Sequence, residues 1–141
     1  MQFAVENGVN AIIGNHPHVV QKFSEINSVP VFYSLGNFSF SPDSLYVLHD
    51  LLPEYSVMPH FYFSKTADKY ELKKITCTIL KTLEDENNLI EVVPAYDLLK
   101  GTKDEKEQLK LIRDLKFIVD RLKTDQVYVD YNDAEIELYH K

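Results

Sequence analysis

Residues 9–15 read VNAIIGN, and residues 29–37 read VPVFYSLGN. Each is a short, nearly unbroken apolar run that stops at a Gly-Asn pair. Runs of this kind fit strands covered on both faces of a mostly parallel sheet. Ligands of open α/β sheets bind beyond the carboxyl ends of the strands, so two strands that both leave at Gly-Asn point to a shared functional edge. The fold class predicted on this basis is α/β.

The first run is followed at once by His16, Pro17 and His18. Proline biases the residue before it toward extended backbone, and extended residues i and i+2 project to the same side. Their Cα atoms would then lie roughly 6 to 7 Å apart, close enough for two imidazoles to serve one metal or two neighbouring metals. Asn15 could add a carbonyl oxygen or a hydrogen bond to a bound anion. Two surface histidines flanking a proline are also commonplace, and the nearby acids Glu6, Glu25, Asp43 and Asp50 form no recognisable ligand motif. On spacing alone, metal loop and plain polar loop both stand.

Composition narrows the function classes. The chain has 141 residues, 45% of them hydrophobic, which suits a single domain over 1–141 with a real core. Its formal net charge is -7, with 22 acidic against 15 basic residues, and no basic run exceeds a lysine pair. That is no footprint for a phosphate backbone, so no nucleic-acid partner is expected. No run approaches 18 apolar residues and the start, MQFAVENG, lacks the features of a signal peptide, so the chain as written is expected to be cytoplasmic. The lone Cys77 sits in the alternating run KKITCTIL, where a small hydrophobe packs well.

Other elements follow from pattern. MQFAVENG reads as the last turns of a helix closed by Gly8. Residues 39–54 read as a loop holding a short helix. Three strands follow in SVMPHFYFS, ELKKITCTIL and NLIEVVPA, the first an edge or bulged strand because of Pro59, the last two an antiparallel hairpin across KTLEDENN. Thr102 and Glu105 form a capping box for an amphipathic helix. Its stripe is Leu109, Ile112, Leu115, Val119 and Leu122, flanked by Leu111 and Ile118, with Lys110, Arg113, Asp114 and Lys123 toward water. Alternating Val127, Val129 and Tyr131 suggest a further strand.

The stretch ENGVNAIIGNHPHVVQKFSEINSVPVFYSLGNFSF, residues 6–40, closely resembles the carboxyl-terminal signature of bacterial capsule-synthesis proteins of the CapA type, associated with poly-gamma-glutamate capsules. Those proteins are similar to calcineurin-like metallophosphoesterases. The resemblance implies a layered α/β sandwich, with a mixed sheet, the carboxyl-terminal amphipathic helix and a pair of divalent metals, Mn, Fe or Zn. His16 and His18 match the last His-x-His ligand motif, one histidine for each metal. Gly14 matches a turn off the strand, and Asn15 stands at a variable position. In the YSLGNF block, Gly36 turns the chain, while Asn37 is read as structural or as a substrate-side residue beside the ligands.

The family's other motifs, with every carboxylate ligand, lie upstream of this signature. The resemblance therefore implies half of a dimetal phosphoesterase-type site, with weak metal binding or none in this chain, no catalytic residue that can be named, and no independent enzyme activity. A complete relative would be membrane-associated and extracytoplasmic and would work with capsule polymer machinery. Expected partners of this chain are a missing amino-terminal half or a second copy joined through exposed sheet edges. A non-catalytic binding or scaffold module of a cell-surface polymer assembly complex is the alternative.

Overall fold

A computed structural model of the chain describes residues 1–41, 48–122 and 134–140. The first helix, α1 (Gln2–Glu6), is closed by amides of Gly8 and Val9 bonding back to Val5 and Ala4 carbonyls, with Gly8 at φ +88°. Because Val9 is spent on that closure, strand β1 is only Ile12–Ile13, shorter than the apolar run suggests. It pairs in parallel with β3 (Val29–Phe32), Ile12 opposite Val31 and Ile13 opposite Phe32.

Between them lies a strand that the sequence reading did not anticipate, β2 (Phe23–Ile26), antiparallel to β3. Asn27 and Ser28, at φ 50° and 64°, make the two-residue connection, matching the doubly positive backbone of a type I′ hairpin turn. Asn-Ser fills a turn that usually announces itself as Asn-Gly. The first sheet therefore runs β1-β3-β2 and mixes parallel with antiparallel pairing.

The second sheet is antiparallel throughout, so the structure has two sheets where one mixed sheet was expected. Strands β4 (Tyr55–Lys65) and β5 (Tyr70–Glu84) form a long hairpin. The other side of β5 takes β6 (Ile90–Pro94) near one end and β7 (Ile136–His140) nearer the other. Pro59 sits on β4, which has β5 as its one strand partner among the described residues, and the irregularity in that ladder falls at Tyr62/Phe63. A Gly36–Ser56 bridge and a 2.8 Å bond from the Val57 amide to the Leu35 carbonyl tie the sheets together.

Two helices follow, α2 (Ala95–Gly101) and α3 (Glu105–Leu122). The expected capping box is not formed. Thr102 Oγ1 instead donates to the Leu98 carbonyl at 2.8 Å and closes α2, while Asp104 Oδ1 caps α3 by accepting from the Glu107 amide at 2.9 Å. The buried face of α3 is also rotated from the expected one. Leu111, Asp114, Leu115, Ile118, Val119 and Leu122 are buried, whereas Leu109 and Ile112 are exposed. Asp114 turns inward because Tyr55 and Arg113 meet it there. Lys123, Val127, Val129 and Tyr131 lie outside the described residues.

The core is shared. Ile75, Cys77 and Ile79 from one face of β5 pack in one cluster with Leu115, Ile118 and Leu122 of α3, with Phe23 and Phe32 of the first sheet and with Val20 from the segment before β2. At about 1.5–3 kcal/mol for each large side chain removed from water, this cluster is the chief force holding the first sheet against the second.

Candidate functional site: a histidine pair clamped by asparagine

The parallel pairing of β1 with β3 places both Gly-Asn pairs at the same sheet edge. Gly14 does not turn the chain. It extends the ladder, its amide bonding the Phe32 carbonyl at 2.8 Å and its carbonyl accepting from Leu35 at 3.1 Å. Glycine is required by proximity, since a Cβ there would stand 2.4 Å from the Tyr33 carbonyl oxygen. Gly36 is tight and also left-handed, at φ +81° and with its would-be Cβ 2.6 Å from the Tyr55 carbonyl oxygen.

Beyond Gly14, Asn15 and His16 are exposed, Pro17 is half-buried, and His18 is exposed at the mouth of the loop. The extended geometry expected for the pair is not kept, because His18 takes φ 62°, a left-handed conformation that costs a non-glycine residue on the order of 1 kcal/mol or more. The two imidazole centroids are 6.5 Å apart with their planes at 45°.

Asn37 holds the unusual turn in place. It is only 7% exposed, and its Nδ2 donates to the carbonyls of His18 at 3.0 Å and Pro53 at 3.3 Å. Its Oδ1 is thereby left as the acceptor, 2.8 Å from His18 Nδ1. The proton must then sit on Nδ1, and the lone pair of the neutral ring is on Nε2. An outer-shell acceptor on one ring nitrogen is how proteins orient a histidine that ligates a metal through the other.

Three further groups shape the loop and were not singled out in the sequence. Phe40 places its ring 5.9 Å from that of His18. The Pro53 carbonyl completes the Asn37 clamp, and Arg121 of α3 donates to the Val20 carbonyl at 3.3 Å. Phe40 ends the stretch that carries the family resemblance, which was the available signal. Pro53 and Arg121 reach the loop only through tertiary packing.

The donor set is short for a metal centre. Catalytic zinc sites use three protein ligands, and among the described residues no group of three or more His, Cys, Asp or Glu stands where it could hold an ion. Two imidazoles alone do not fit a closed metal site.

Comparison with known proteins locates the similarity. The family model described as bacterial capsule synthesis protein PGA_cap matches residues 1–42. A capsule biosynthesis protein CapA of Bacillus anthracis is 50% identical over 36 residues, which is 26% of this chain and 9% of the relative. A PGA biosynthesis protein CapA of Bacillus subtilis is 48% identical over 33 residues, 23% of this chain and 9% of the relative. No solved structure matches the chain. The matched residues 1–42 contain His16, His18, Asn37 and Phe40, so the similarity to capsule synthesis proteins falls on the segment that builds the histidine loop and its clamp.

Proposed function

We propose that this chain contributes two imidazole ligands to a phosphoesterase-type dimetal site of a CapA-like protein of capsule or poly-gamma-glutamate synthesis. The observation that carries the reading is the His18–Asn37 pair, which leaves Nε2 of His18 as the available donor beside His16. The similarity of residues 1–42 to capsule synthesis proteins supports it. In this reading the carboxylates and remaining histidines come from other polypeptide, and the whole adopts a layered α/β sandwich. In this reading that polypeptide, or a second copy of this chain, adds a strand to β1, which has β3 as its one strand partner among the described residues and whose Ile13 is 53% exposed. The full assembly would act at the membrane, outside the cytoplasm; among the described residues no helix is long and apolar enough to cross a membrane.

Calorimetric titration with Mn²⁺ and Zn²⁺ tests the reading. The chain should bind weakly, the binding should vanish in the His16→Ala/His18→Ala double variant, and it should tighten when the amino-terminal part of a CapA relative is added. With both parts present, a model phosphodiester should be hydrolysed only when metal is supplied. Binding that is still absent with both parts present, or that survives the double substitution, would overturn it.

A second reading is a non-catalytic binding or scaffold module of a cell-surface polymer assembly complex. The two-imidazole donor set favours it. It predicts capture of a capsule-assembly partner that is unchanged in the same double variant.

A further inference from the structure

The end of β5, the segment entering β4 and α3 line an open cleft of about 400 Å³. Lys81, Thr82 and Lys110 line it. Lys81 is 7% exposed, and an ammonium carries three N–H donors. One of them donates to Tyr55 Oη at 3.0 Å, and the other two have no acceptor among the described residues. Thr82 is 3% exposed, and its hydroxyl also has no partner among the described residues.

Leaving donors of a buried charge unmet costs several kcal/mol, so such a group calls for an acceptor. Burial pushes the Lys81 ammonium below its usual range and the like charge of Lys110 adds to the shift, against the pull of Glu54, Asp114 and Glu107. Glu54, whose charge pulls Lys81 the other way, also lines the cleft. Two further carboxylates of the lining are already engaged: Glu84 accepts from Ser41 at 2.6 Å, and Asp85 Oδ1 accepts from the Asn87 and Leu89 amides at 2.8 Å. That rim of acids disfavours a polyanion and leaves room for one small negative group.

We propose that this cleft binds a small oxyanion, a carboxylate or a phosphate group, held by the Lys81 and Lys110 ammonium groups. The site adjoins the histidine loop through Pro53, which lines the cleft and accepts from Asn37, but it does not depend on the function proposed for that loop.

The test is an NMR titration of the full ¹⁵N-labelled chain with inorganic phosphate and, in a parallel arm, with acetate, at fixed ionic strength. Saturable shifts are expected at the amides of Lys81, Thr82 and Lys110. Lys110→Gln, a change on the rim, should weaken binding about tenfold, and Lys81→Met should abolish it. The His16→Ala/His18→Ala variant should bind as the parent does. A response to one anion alone identifies which chemistry the cleft takes. No saturable shift with either anion, shifts confined to the histidine loop, or unchanged affinity in Lys110→Gln would overturn the proposal, and the last remains decisive if Lys81→Met fails to fold.

Discussion

His18 and Asn37, 19 residues apart, hold each other at two points: Nδ1 of the ring meets Oδ1 at 2.8 Å, and Nδ2 donates to the His18 carbonyl at 3.0 Å. One side chain thus sets both the tautomer of the ring and the left-handed backbone beneath it. Asn37→Ala removes these bonds and the one to Pro53, at a cost of about 1–3 kcal/mol. Long-range ¹H–¹⁵N spectra should show the His18 ring passing from the Nδ1–H form to a tautomer mixture. Ring nitrogen shifts identical to the parent's would mean that the bond does not control the ring.

The glycines of the sheet edge should respond differently from one farther along the chain. A Cβ at Gly14 or Gly36 would run into backbone oxygens, at 2.4 Å from Tyr33 and 2.6 Å from Tyr55, and Gly36 also sits at φ +81°. Backbone yields poorly, so each alanine variant should lose about 2–4 kcal/mol in urea unfolding. Gly101, at the end of α2, has nothing within 4 Å of its would-be Cβ. Gly101→Ala should be neutral or gain up to about 1 kcal/mol. Equal effects at all three positions would contradict the crowding argument.

A buried polar chain runs from Lys81 Nζ to Tyr55 Oη at 3.0 Å and on to Asp114 Oδ2 at 3.3 Å. Burial, then the charge of Asp114, pushes the Tyr55 hydroxyl well above its usual range, so it stays protonated and donates to the carboxylate. Removing one member strands its neighbours, and Asp114→Ala should cost about 3 kcal/mol. Tyr55→Phe should cost about 1–3 kcal/mol on the same grounds. The double variant should lose less than the sum by 1 kcal/mol or more, because the second change removes a group already stranded. Losses that add within about 0.5 kcal/mol would show Tyr55 and Asp114 to be uncoupled.

Burial raises the Cys77 thiol from 9.0 to about 12. Below pH 9 the thiol is protonated in the folded and the unfolded chain alike, and its contribution to stability is fully present. Above pH 9 only the unfolded chain gives up the proton, so stability falls with rising pH by up to about 1.4 kcal/mol per unit until the folded value is passed. Cys77→Val lacks this loss. Urea midpoints measured between pH 8 and pH 10.5 should therefore fall more steeply for the parent than for the variant, and parallel curves would refute the assignment.

Much of the framework was legible in local pattern. The strands around Cys77, the helix after Gly101 and the two Gly-Asn exits each follow from periodicity or from turn residues that act over a few positions. Strand β2 was missed because its hairpin closes on Asn-Ser, whose left-handed backbone is not distinctive in sequence. The cap of α3 was misplaced because Thr102 and Asp104 both offer a side-chain oxygen there, and Thr102 was taken by the end of α2. Asp114 was read as a surface residue since nothing within a helical turn reveals Tyr55, 59 residues away.

The site divides along the same line. By itself, the sequence determined the identities: two histidines about a proline at a strand exit, a second Gly-Asn beyond the next apolar run, and a stretch resembling capsule-synthesis proteins. Only the tertiary structure decided what those residues do to one another. The parallel register of β1 with β3 brings Asn37 to His18, and its amide, committed to two backbone carbonyls, leaves its oxygen to orient the ring. Hydrogen-bond direction between side chains distant in sequence depends on where packing places them, and that information is not carried by any local pattern.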